Sequence, residues 1–308
     1  MKTYYKYSKY FGIESLKYPV IRLSSPAILN DPFEKLFNSE VENNLIARAG
    51  ACYKGYFPMH TLDEKQKELF IKYQVKQSVN NFGIVSLSET HSNLLMWSHY
   101  ADEHKGICLG FHENFLSRLS HKIHDEYGIS TYKPIKVNYN NKRPRYFIEQ
   151  NNIENEIKIN TLQQLTTKGD DWIYEKEHRC IVPLRWADEI KLLNIEKLSN
   201  LERQVLEASK DDLDVVDGNR FIFKRSHTAE QSRYACLGFT KNADAVLLKR
   251  LSPKSIKSIH MGCKMSLKDK ISIAKVLSNP ANKLHHIELY EYVESTERYE
   301  LVEKKIYP

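Results

Sequence analysis

Apolar residues in this chain come only in short runs, of which Ala245-Val246-Leu247-Leu248 is among the longest. A membrane-crossing helix needs roughly 18 or more in succession, so the pattern predicts none. Short runs bounded by turn signals specify short buried elements instead. Strand-like segments are Tyr4-Tyr5-Lys6-Tyr7, Val20 to Ser24 before Ser25-Pro26, Ile84 to Ser88, Ile107 to Phe111, Lys133 to Tyr139 and Arg179 to Leu184. Others fall at 220–224, 243–249 and 256–261, and two more lie between His286 and Ile306. Helices are predicted over 61–80, opened by a capping-box pattern at Thr61-Leu62-Asp63-Glu64, over Asn93 to Ala101, over the polar stretch 149–168 and from Ser266 to Leu277. In the Asn30-Asp31-Pro32 turn, Asp31 suits a cap and Pro32 a first helical position. Strands and helices mix without strict βαβ alternation. The expected class is therefore α+β, with a mixed or antiparallel central sheet and surrounding helices.

The chain of 308 residues reads as one domain over 1–308, with the acidic stretch 187–219 as a surface insertion. Its first residues, MKTYYKYSKYFG, hold no apolar segment of the secretory type. Five cysteines stand singly with no CxxC pair, which points to reducing cytoplasm rather than to disulfides or thiolate zinc. Charge is uneven. Residues 150–220 carry 10 basic and 15 acidic side chains, whereas 221–283 carry 13 basic and 3 acidic ones. A block that basic can draw nucleic acid or pyrophosphate to one face; it is equally an ordinary lysine-rich surface. Only 11 glycines are present, and no GxGxxG, Walker A, GxSxG or EF-hand pattern occurs, which sets aside the large glycine-signature nucleotide folds.

Two constellations carry chemistry. Met96-Trp97-Ser98-His99-Tyr100-Ala101 gathers an indole, an imidazole and a phenol on a short helix, followed by Asp102-Glu103-His104-Lys105-Gly106. Adjacent helical residues point about 100° apart, so one face is expected to pack in the core and the other to line a cleft. His99 and His104 are five apart, wrong for one helical face, and His121 and His124 lack a third ligand, so no metal is expected. The other constellation is Trp172-Ile173-Tyr174-Glu175-Lys176-Glu177-His178-Arg179, running into Cys180-Ile181-Val182-Pro183. If extended, Glu175, Glu177 and Arg179 share one side. Exposed, they form an ion-pair row; buried, two carboxylates beside a guanidinium are costly unless they bind something.

In combination these motifs resemble the bacterial family known as domain of unknown function 2971 (DUF2971). The resemblance rests on Tyr5-Lys6-Tyr7, Ser24-Ser25-Pro26, Asn30-Asp31-Pro32-Phe33-Glu34, Ser86-Leu87-Ser88, the Met96–Ala101 and His104–Gly106 blocks, Trp172-x-Tyr174-Glu175-x-Glu177-x-Arg179 and Ile256-x-x-Ile259-x-x-Gly262. It implies a cytoplasmic bacterial protein of the kind encoded near mobile or defence genes. The Glu175-x-Glu177 pair ahead of an apolar strand is also similar to the glutamate strand of ADP-ribosyltransferases. That likeness implies a split-sheet fold with NAD as substrate. It makes Glu177 the residue that stabilises an oxocarbenium ion and Glu175 the group that orients or deprotonates the acceptor. Tyr100, His99 and Trp97 then line or stack on the ring, and Lys6, Tyr7, Arg22, Ser24 and Arg179 hold the rest of the nucleotide. The partner implied is a nucleotide-type small molecule. Two other readings stay open: a nucleic-acid-directed nuclease or binding module using His99, Asp102, His104 and the basic segment 221–283, and a non-catalytic sensor or partner of another protein.

Overall fold

The computed structural model describes residues 2–52, 61–119, 128–149, 152–224, 233 and 236–307; His121 and His124 lie outside these. Strands β1 (Thr3–Ser8), β3 (Phe82–Ser88), β4 (Ile107–His112), β5 (Thr131–Lys136), β8 (Glu177–Pro183), β13 (Ile256–Met261), β14 (Glu288–Glu294) and β15 (Leu301–Tyr307) form the larger sheet. Its order is β15-β14-β13-β4-β1-β3-β8-β5, antiparallel except for the parallel β13–β14 pair. A smaller antiparallel sheet runs β10 (Leu213–Val216), β11 (Arg220–Phe223), β9 (Glu189–Leu192), β12 (Ala245–Arg250), β2 (Val20–Arg22). Two short strands, β6 (Asn138–Tyr139) and β7 (Thr167–Lys168), pair alongside. The helices are α1 (Glu14–Lys17), α2 (Ser39–Cys52), α3 (Glu64–Asn80), α4 (Leu94–Tyr100), α5 (Ile153–Thr166), α6 (Asn200–Ala208) and α7 (Leu267–Leu277). The class is thus α+β with a large mixed sheet, and no helix among the described residues is long and apolar enough to cross a membrane.

Period-two alternation assigns the two faces of the large sheet. Val85, Leu87, Cys180 and Val182 turn toward the second sheet, where they meet Ile190, Leu192 and Leu247. Ile84 and Ile181 turn the other way, onto Leu45 of α2, Val75 of α3 and Ile157 of α5. Each such buried aliphatic side chain contributes roughly 1.5–3 kcal/mol. Farther along that helical face the apolar residues give way to Ser86, Ser88, Glu177 and Arg179, in register Ser86–Arg179 and Ser88–Glu177.

Three sequence expectations change. The capping box of α3 uses Asp63 and Gln66, because the chain turns helical at Glu64 rather than at Leu62. The stretch 187–219 is more than a surface insertion: β9 lies inside the second sheet, with Ile190 and Leu192 buried. The opposite charges of 150–220 and 221–283 also meet each other. Lys249 binds Asp188 at 3.0 Å, Arg250 binds Glu189 at 2.6 Å and Lys224 faces Asp214 at 3.8 Å, so part of the basic excess is neutralised within the fold.

After α4 the chain makes a left-handed turn. Asp102, Glu103 and His104 all have positive φ, at 51°, 54° and 69°, a conformation that costs L-residues about 1–2 kcal/mol each. The turn is held by bonds from Gly106 N–H to Ala101 O at 2.8 Å and from Lys264 N–H to His104 O at 3.0 Å. Gly262 makes this approach possible, since a Cβ there would lie 2.1 Å from the His104 carbonyl oxygen. Backbone cannot yield as a side chain tip can. Gly262→Ala is therefore expected to destabilise the protein by about 1–3 kcal/mol or more, read by denaturant unfolding; an unchanged midpoint would refute this packing.

Candidate functional site

β1 pairs with β3 at a single register position, Tyr5 to Ser88. Farther along the same edge of β3, Ile84 is bridged instead by Ser24, where the chain continues from β2. Between these two attachments the edge opens, and the Lys6 ammonium donates to the Ser86 carbonyl at 2.9 Å. The opening leads into a cavity of about 260 Å³ at the seam of the two sheets. Its walls include Lys6, Arg22, Ser24, Asn30, Glu34, Ser86, Ser88, Met96, Tyr100, Lys168, Glu175, Glu177 and Arg179.

Arg179 is the centre of the charged wall. Its guanidinium donates twice to Glu177, at 2.8 Å each, to the Leu165 carbonyl at 2.7 Å and to Glu34. Lys168, on β7, donates to Glu175 at 2.7 Å and approaches Glu177 at 3.4 Å. Its ammonium also lies 4.5 Å over the Trp172 ring. Glu175 takes a second bond from the Tyr100 hydroxyl at 2.6 Å. All five charged groups of this network are buried. Burial alone would raise Glu177, but the charge and hydrogen bonds of Arg179, with Lys168 behind it, bring its carboxyl down to about 2. Glu34 moves up, because burial outweighs its single contact with Arg179. Burial lowers Lys168, yet the surrounding carboxylates, led by Glu177, outweigh it and hold the ammonium charged.

The opposite wall is differently balanced. Burial lowers Lys6 against the pull of Glu177, and burial also lowers Arg22. The Arg22 Nε is buried and has no hydrogen-bond partner among the described residues. An anion in the cavity would face these two side chains, whereas Lys168 and Arg179 are already engaged by carboxylates.

The two acids reach one ammonium by different local means. Glu177 and Arg179 share a side of β8 by alternation, as expected. Glu175, however, ends a 3-10 turn over Asp170–Glu175, and Lys176 follows with φ 46°. That left-handed residue, rather than an extended strand, swings Glu175 to the same cation. The strand is buried along its whole length, not a solvated ion-pair row.

Of the expected site residues, Glu175, Glu177, Tyr100, Lys6, Tyr7, Arg22, Ser24 and Arg179 line the cavity together. Trp97 and His99 do not. Trp97 is fully buried, donates its indole N–H to the His91 carbonyl at 2.9 Å, and packs edge-on against Tyr7 and Tyr292, so it cannot stack on a ligand. His99 points outward to solvent, its ring 6.3 Å from that of Tyr100. Because α4 advances about 100° per residue, Met96 and Tyr100 take the cavity side and leave Trp97 to the core.

Sequence reasoning missed Lys168 and Glu34 as site residues. Glu34 stood in the Asn-Asp-Pro-Phe-Glu block, where Asp31 accepts from the Phe33 N–H at 2.9 Å and starts the short turn that aims Glu34 inward. Lys168 carried no local signal.

Two predictions follow from the network. Arg179→Met leaves Glu34, Glu177 and the Leu165 carbonyl without their donor, and is expected to cost about 3–5 kcal/mol in chemical denaturation. Glu177 is ionised more readily folded than unfolded. Its stabilisation is thus complete above the ordinary carboxylate range and fades as pH falls toward about 2. The stability gap between wild type and Glu177→Gln should narrow between pH 6 and about pH 3; a constant gap would contradict the assignment.

No curated protein and no solved structure matches this chain. A family model described as Protein of unknown function (DUF2971) matches residues 96–180. The match begins at Met96 in α4 and ends at Cys180 in β8, so it spans the helix that supplies Tyr100, the lysine that bridges the two acids, and the acids themselves. Over residues 96–180 the chain is therefore similar to the DUF2971 family.

Proposed function

We propose that the protein is an enzyme acting on the glycosidic bond of a nucleotide-type small molecule, with ADP-ribosyltransferase-like or NAD-glycohydrolase-like chemistry. One observation carries the reading: a partly open, charged cavity holds two lysine-bridged carboxylates together with an arginine whose Nε has no partner among the described residues. A purely structural ion network has no use for that remaining cation, whereas the phosphates of a nucleotide do. The cavity volume suits a nucleoside-sized group, with the rest of a dinucleotide toward the mouth.

In this mechanism Lys6 and Arg22 hold the phosphates. Glu177, fixed and ionised by the Arg179 fork, places negative charge near the sugar C1′ as the bond to nicotinamide breaks and its electron pair leaves with the base. An acceptor oxygen then bonds to C1′, and its proton passes to Glu175, which Tyr100 and Lys168 orient. Glu177 accepts more internal hydrogen bonds than Glu175, so Glu175 has the freer lone pairs for the acceptor. A reducing cytoplasm fits the free thiols of Cys108, Cys180 and Cys263 and the availability of NAD there.

The test is release of free nicotinamide from NAD by the purified chain. Glu175→Gln should lower turnover by about 10²–10⁴-fold with KM little changed. Arg22→Ala should instead raise KM, since it removes binding to phosphates that do not react. Full turnover by Glu177→Gln, with its fold checked by circular dichroism, would overturn the mechanism. Absence of release by wild type would remove NAD as the substrate.

A further inference from the structure

Beyond the cavity, on the other side of Tyr5, side chains from three distant segments meet. His91 lies in the connection from β3 to α4, His260 on β13 and Glu303 on β15. One ligand atom from each falls within 4.8 Å of the other two. His260 Nδ1 lies 2.6 Å from Glu303 Oε1, and His91 Nδ1 lies 3.2 Å from that same oxygen. Both imidazoles thus direct the same ring nitrogen at one carboxylate. The opposite nitrogen of His260, Nε2, is engaged by the Ser258 hydroxyl at 3.0 Å, and the Tyr292 hydroxyl stands 2.6 Å from His91 Nδ1. The Ser258 contact, on the nitrogen turned away from the carboxylate, is the kind of outer partner that fixes a metal-ligating histidine, whereas the Tyr292 hydroxyl lies on the proposed ligand atom of His91 and has to yield to an ion.

We propose that His91, His260 and Glu303 form a binding site for a divalent transition-metal ion of the zinc class, with His91 Nδ1, His260 Nδ1 and Glu303 Oε1 as ligands. Two imidazoles and one carboxylate suit zinc or a neighbouring first-row ion, and not magnesium or calcium, which prefer all-oxygen sets. Three protein ligands leave a coordination position for water. Exposure is graded to match: His260 is 3% exposed at its side chain, His91 28% and Glu303 30%, so the group is anchored from inside and reachable from outside.

Ring stacking sets what must move. The His91 and His260 rings lie 4.3 Å apart and 20° from parallel, so their lone pairs run side by side toward Glu303. Ion binding requires one ring to tilt. His260 is pinned by Ser258 and by stacking on Tyr290 at 4.8 Å, whereas His91 sits outside any helix or strand. His91 is therefore the ring that closes on the ion. Tyr5 packs on both rings, at 4.7 and 5.6 Å, and also lines the cavity. The ion would fasten the last strand to the segment that leads into α4, and so steady the wall carrying Tyr100.

Zinc titration into the full chelator-treated chain tests the site, followed by calorimetry and by metal content after desalting. One ion per chain is expected, with a melting temperature that climbs with free zinc. Glu303→Gln and His91→Ala should each weaken binding by about tenfold or more while leaving the far-ultraviolet circular dichroism unchanged. Glu291→Gln, on the adjacent strand, should bind like wild type. Cobalt in place of zinc should give visible bands without sulfur charge transfer. Failure to bind stoichiometrically, or equal affinity in wild type, Glu303→Gln and His91→Ala, would overturn the proposal; thiolate bands from cobalt would do so as well.

Discussion

A single buried guanidinium organises this protein. Arg179 joins β8 to the turn carrying Glu34 and to the carbonyl of Leu165 near the end of α5, and its fork fixes Glu177. Removing a charge of that kind from water costs several kcal/mol, so it is tolerable only with every donor engaged in good geometry. Satisfying it constrains three chain segments at once. The cavity is what remains beside that constraint, where the sheet edge opens between the attachments of Tyr5 and Ser24.

Charge balance within the cavity separates supporting groups from those able to meet a ligand. Lys168 and Arg179 are consumed by Glu34, Glu175 and Glu177. Lys6 reaches only a backbone oxygen in the described hydrogen bonds, and the Arg22 Nε has no partner among the described residues. This asymmetry has the sense needed for an anionic ligand, since two of the cationic side chains lining the cavity are not taken up by its carboxylates among the described ion pairs. Part of the basic segment 221–283 is likewise taken up within the fold. Lys249 and Arg250, prominent in its charge count, face Asp188 and Glu189 on the neighbouring strand.

The motif around Trp97 divides its labour in a way that only packing explains. Trp97 closes a small aromatic core with Tyr7 and Tyr292, and the left-handed turn behind it seats against Gly262. Tyr100, one helical turn from Met96, faces the cavity. A segment so dense in indole, imidazole and phenol invites a wholly catalytic reading, yet most of it builds the wall on which one phenol is mounted. His91, which had no place in any motif, accepts the Trp97 indole proton through its carbonyl and turns its ring to His260 and Glu303.

Local periodicity was enough to place most strands and helices, because alternation and helical spacing are encoded in residues a few positions apart. It also put Glu177 and Arg179 on one side of β8, while Lys6 and Arg22 became candidates only through the resemblance to ADP-ribosyltransferases. Three things depended on tertiary structure. The partner of the two acids, Lys168, lies on a two-residue strand without periodicity of its own. Burial of β8, with β3 on one side and β5 on the other, turns what alternation alone offers as a surface ion-pair row into a buried network. The meeting of His91, His260 and Glu303 joins positions more than two hundred residues apart at the extremes. Sequence patterning reports which side of an element a residue occupies; which distant element covers that side is decided by packing of the whole chain, and charge pairing and ligand geometry are properties of that packing.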